Sequence, residues 1–102
     1  MIQSYVDCVR PVNALFRELL STKGFPLEVV YDPIIDDSYG GIAFVYSDNV
    51  IFFSGPTAFR VGYHGVAPRE LLLMLQALGS NLTINDIANL DAKKHHTLWK
   101  SS

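Results

Sequence analysis

Arg60 and His64 are the first pair in this chain equipped to do chemistry. Arginine carries a planar fork of donors that fits a phosphate or carboxylate. Histidine exchanges a proton near neutral pH. If residues 57–63 form a strand, the two side chains share a face but stand about 13 Å apart by strand rise alone. They would line one groove without meeting at one atom. That spacing suits anion contact or, with a third polar group, a small enzyme site. The simpler account is an exposed sheet surface with an ordinary salt bridge.

Three further groups have the right residue types. Asp32, Asp36 and Asp37 fall in one turn-rich stretch. Spaced carboxylates bind Mg²⁺ or Ca²⁺, but the twelve-residue loop of an EF-hand is absent. A solvated acidic turn, or an acidic docking loop, is the remaining reading. Cys8, His64, His95 and His96 hold possible zinc donors, yet their spacing matches no zinc pattern, so no metal is assigned. The stretch GPTAFRVG at 55–62 lacks the lysine and hydroxyl residue of a phosphate-binding loop. Neither a dinucleotide fingerprint nor a G-x-S-x-G turn occurs. No catalytic residue and no cofactor is assigned.

Basic residues gather toward the C-terminus. Residues 82–90, LTINDIANL, read as a short helix, and DAKKHHTLWK after it would serve as a recognition helix. Lys93, Lys94 and Lys100 would then contact phosphates, and His95 or His96 base edges. Only Leu98 and Trp99 offer anchors for docking such a helix. The competing reading is that residues 93–102 form a frayed or disordered tail.

The elements that must position these residues are clearer. Residues 40–54, GGIAFVYSDNVIFFS, combine β-branched and aromatic residues around Asp48-Asn49, the composition of a hairpin. A turn at Asp48-Asn49 sets Val45 opposite Phe52 and Phe44 opposite Phe53. The period of two puts Ile42, Phe44, Tyr46, Ile51 and Phe53 on one face, and Ala43, Val45, Val50 and Phe52 on the other. Neither face is clearly polar, so either both are covered within the chain or one meets a partner; the plainer reading is that helices cover one face and the other is only partly exposed.

Before the hairpin, Val12, Leu15, Phe16 and Leu19 recur at helical spacing after Pro11. Gly24 and Pro26 stop that helix. Residues 2–9 carry no clear pattern, though Tyr5 and Val9 could belong to a preceding helical turn kinked at Pro11. Leu27 to Tyr31 is half polar and reads as an edge strand pairing with Ile42 to Tyr46. After the hairpin, Thr57 to Tyr63 reads as a fourth strand, weakened by Gly62 and Gly65. PRELLLMLQALG, from Pro68 to Gly79, is a helix with almost no polar stripe, which must be covered on more than one side. In the next helix Thr83 and Asp86 have the spacing of a capping box, with Leu82 and Ile87 as a hydrophobic staple.

This order gives an α+β, two-layer domain. An antiparallel β-meander of three or four strands is flanked by an N-terminal helix and two C-terminal helices. The chain has 102 residues, the size of one domain. Eight basic and ten acidic residues give a net charge of −2, which argues against a general polyanion binder. A single cysteine excludes an internal disulfide and fits a reducing, cytoplasmic setting. No apolar run approaches the length of a membrane span.

A converging catalytic set is missing, whereas apolar and aromatic residues exceed what three short helices seal. The leading reading is therefore a small protein–protein interaction module, a regulator, inhibitor or adaptor that self-associates as a homodimer. Its anchors would be Val45, Val50, Phe52, Tyr39, Tyr63 and Trp99. The alternatives are a nucleic-acid-binding regulator using residues 82–100, and an enzyme with a site near Arg60 and His64.

Overall fold

Every strand signal in the chain is short, and the fold solves this by pairing five strands in one sheet. The structure, a computed structural model, describes residues 2–7, 12–33, 41–54 and 60–101. Their order is β1 (Ile2–Asp7), α1 (Val12–Lys23), β2 (Glu28–Asp32), β3 (Gly41–Val45), β4 (Asn49–Ser54), α2 (Val66–Ala77), α3 (Ile84–Ala88) and β5 (His96–Lys100). Across the sheet the strands run β1-β4-β3-β2-β5. Four of them, β4, β3, β2 and β5, are antiparallel neighbours. With an N-terminal helix and two C-terminal helices this is the α+β arrangement expected. β1 adds a fifth strand, parallel to β4.

The hairpin keeps its faces but moves its turn. Val45 pairs with Val50, Phe44 with Ile51 and Ile42 with Phe53. The Tyr46 N–H donates to the Asn49 carbonyl at 2.8 Å. The turn is therefore Ser47-Asp48, one residue earlier than expected, which shifts each cross-strand partner by two. A slip of two preserves side-chain direction, where a slip of one would reverse it. Ile42, Phe44, Tyr46, Ile51 and Phe53 are all buried, as that pattern required.

The core forms where the helices meet this face. Phe16 of α1 joins Val29 and Tyr31 of β2, the five hairpin residues, Leu71, Met74, Leu75, Leu78 and Ile87 in one cluster. The Phe44 ring meets Phe16 edge-on at 5.9 Å and Phe53 at 5.1 Å. These T-shaped contacts stabilise beyond the area they bury. Truncating Phe44 to Ala would cost about 3–5 kcal/mol by transfer and cavity terms. The helices thus lie on one side of the sheet.

Local chemistry sets the helix ends. α1 and α2 both close on a left-handed glycine, Gly24 and Gly79. After α2 the Gly79 N–H reaches the Gln76 carbonyl and the Ser80 N–H reaches Leu75. That pair of bonds satisfies carbonyls the helix leaves open. α2 begins at Val66, two residues before Pro68, because the first helical N–H groups have no intrahelical acceptor to lose. At α3 the capping box is complete: the Asp86 N–H donates to Thr83 Oγ1, and the Thr83 N–H to Asp86 Oδ2 at 2.8 Å.

Three segments differ from the sequence reading. Ile2–Asp7 is a strand and not a helical turn. Residues 60–63 are not a strand: Gly62 has φ +90° and its N–H bonds to the Ile87 carbonyl, which turns the chain away from the sheet. A Cβ at Gly62 would stand 3.0 Å from Ala92 Cβ. Residues 57–59 lie outside the described residues. Finally, His96–Lys100 is β5, paired with β2, so β2 is not an edge strand. The expected recognition helix and the expected tail are both replaced there. A register irregularity between Val29 and Val30 accommodates the extra residue Leu98, which is buried. Ser101 extends the pairing by donating to the Leu27 carbonyl.

Candidate interaction surfaces

The polar residues singled out by the sequence divide between two ends of the sheet. At the end of β2, the Tyr31 hydroxyl donates to the Ala92 carbonyl at 2.8 Å. Its ring stacks on His96 at 6.2 Å. His96 Nε2 lies 2.7 Å from the Asp91 carbonyl, and since a carbonyl only accepts, Nε2 is the donor. His95 Nε2 stands 3.6 Å from Asp32 Oδ1. Burial pushes the Tyr31 phenol above its ordinary 10.0, with Arg60 opposing that rise and Asp32 and Asp91 adding to it.

His95 and His96 therefore come to Asp32 and Tyr31, with Arg60 near enough to act on the Tyr31 phenol. His96 and His95 turn inward, one to a backbone carbonyl and the other to a carboxylate of the same chain. The arrangement fastens the 89–96 turn to β2. His64 is apart from it, exposed in the bends before α2. Residues 60–63 are not a strand, so the shared strand face expected for Arg60 and His64 is not formed there. Lys93 and Lys94 are exposed in the turn, and Lys100 lies at the far end of β5. Acids at 32 and 91 interleave with these bases, so the charge does not form one basic face. Among the described residues no group of three or more His, Cys, Asp or Glu is placed to hold a metal ion. Cys8, Asp36, Asp37 and Tyr39 lie outside the described residues.

The apolar residues tell a different story. Val45, Val50 and Phe52 are half-buried on the sheet face turned away from the helices. Cross-strand pairing there lines up Val30, Ala43 and Phe52 in one row and Val45 with Val50 in the next. Trp99 is half-buried at the sheet edge, its ring edge-on to Phe25 at 6.2 Å. Leu27 is beside it in chain order.

The large apolar side chains that stand out most are Val66 at 74% exposure, Leu73 at 58%, Phe25 at 57%, Leu27 at 50% and Tyr63 at 46%. Of these only Tyr63 was singled out from the sequence. Val66 and Leu73 are seven residues apart on α2 and fall on one line of the helix. Beside Leu73 a cavity of about 210 Å³ opens between α1 and α2, lined by Phe16, Arg17, Leu73, Met74 and Ala77. The signal that points to this line is the 66–73–77 spacing. It is hidden in the sequence because seven of the eight residues from 71 to 78 are apolar and look equally buried.

No known protein family, curated protein or solved structure matches this chain. Among the described residues, no helix is long and apolar enough to cross a membrane.

Proposed function

We propose that this chain is a small protein–protein association module, a regulator or adaptor that pairs with itself in a reducing, cytoplasmic setting. One observation carries the reading: large apolar side chains are exposed in groups and not singly. Scattered exposed hydrophobics are normal for any protein surface. Grouped ones mark binding sites. Here Val66 and Leu73 share one line of α2 beside a cavity, and Phe25, Leu27 and Trp99 share the start of β2 and the edge strand. Two separate groups suit an adaptor, with one for self-association and one for another protein.

Light scattering on the full chain tests the self-association. The reading predicts a mass that climbs from monomer toward dimer as concentration rises. A monomer mass held to millimolar concentration would remove it.

A further inference from the structure

We infer that the outer face of α2 is the self-association surface, and that two copies meet there with their α2 helices side by side and parallel. The inference rests on the association reading and adds the surface and its symmetry. Val66 and Leu73 lie about 20° apart in projection along the helix, with Ala77 close to the same line. Arg69 falls about 60° to one side of Val66 and Glu70 about 40° to the other. The stripe is thus apolar along its middle and oppositely charged on its two flanks.

A two-fold axis running along α2 uses that pattern fully. It sets Val66 on Val66 and Leu73 on Leu73. It also brings Arg69 of each copy against Glu70 of the other, once on each side. An antiparallel pairing would instead put like flanks together. Among the described residues neither Arg69 nor Glu70 is engaged in an ion pair within the chain. Charges flanking an apolar seam set orientation and partner choice more than affinity. The cavity between α1 and α2 takes the Leu73 side chain of the second copy, as a hole takes a knob.

The size of the surface fixes the strength. A standard interface buries about 800 Å² per partner. Twelve residues of helix give a face about 18 Å long and about 10 Å wide, which falls short of that. The dimer is reversible and weak, not obligate.

Sedimentation velocity on full-length variants tests this. Leu73→Asp weakens self-association about tenfold or more. Arg69→Glu and Glu70→Arg each weaken it when alone, because each gives two like charges at both flanks. Mixed in equal amounts, these two variants associate with each other as the wild type does. Phe25→Ser, on the other apolar group, leaves association unchanged. All substituted positions are exposed or half-exposed on the helix or loop surface, and unchanged far-UV dichroism verifies the fold. Leu73→Asn gives a milder second variant at the same position. A dimer indifferent to changes at 69, 70 and 73 would overturn this surface while leaving the association reading standing. Loss on Leu73→Asp without recovery in the mixture would overturn the parallel two-fold. A wild type that never dimerises would overturn both.

Discussion

Tyr31 and Tyr46 each spend a hydroxyl on a backbone carbonyl far away in sequence. Tyr31 bonds Ala92 and Tyr46 bonds Gly24 at 3.0 Å. Each bond closes a loop onto the sheet, and replacing either residue by Phe should cost about 1 kcal/mol in a urea titration. Burial also raises both phenols above the ordinary 10.0. The sign follows from linkage: above that pH the unfolded chain loses these protons first, so folding stability falls as pH rises. Below it the contribution is complete. The urea midpoint should therefore be flat with respect to these groups at neutral pH and decline above pH 10.0. The Tyr31→Phe/Tyr46→Phe variant should start lower and decline less. An identical alkaline slope in wild type and variant would count against these two phenols. Thr83 acts as locally: Thr83→Ala removes the capping box of α3 and should cost about 1 kcal/mol in the same titration.

At the scale of elements, β5 is the piece that changes the account. Leu98→Ala should destabilise by about 2–4 kcal/mol, since a buried side chain is lost from the core. A free tail would show no change in the urea midpoint. Gly62→Ala should cost more than Gly79→Ala. Both have positive φ, but only Gly62 would also press a Cβ against Ala92 and the Leu90 carbonyl at 3.1 Å. The hairpin, α1, α2 and α3 were legible in the sequence because each carries a local cue: alternating apolar residues, Gly24 and Gly79 at helix ends, Thr83 and Asp86 at a helix start. β1 and β5 carry none. Ile2–Asp7 and His96–Lys100 become strands only by pairing with β4 and β2, which are distant in sequence. The same reason hid the polar cluster. Tyr31 stacks on His96 because β5 returns beside β2, and Arg60 comes near enough to act on the Tyr31 phenol; neither event is encoded near any of the three.

For the whole molecule, the sheet has its helices on one side and the helices have their own exposed side at α2. Among the described residues the core face is filled, while Val66 and Leu73 on α2 stay exposed. In the proposed self-association, Val66, Leu73 and Ala77, flanked by Arg69 and Glu70, are the residues that would meet their copies in a second chain. Added salt should weaken the pairing only modestly, because two rim ion pairs are screened while the apolar seam is not. A collapse of association by moderate salt would indicate a mainly electrostatic contact instead. The most direct measurement is a symmetric cross-link. In a Cys8→Ser background, Ala77→Cys places one thiol per chain next to the seam. A parallel two-fold brings the two thiols of a dimer within disulfide reach, and an antiparallel one holds them apart. Mild oxidation should give a disulfide-linked dimer in high yield at concentrations where the wild type dimerises, and Leu73→Asp should suppress it. An Ala77→Cys chain that still dimerises but fails to cross-link would contradict the account.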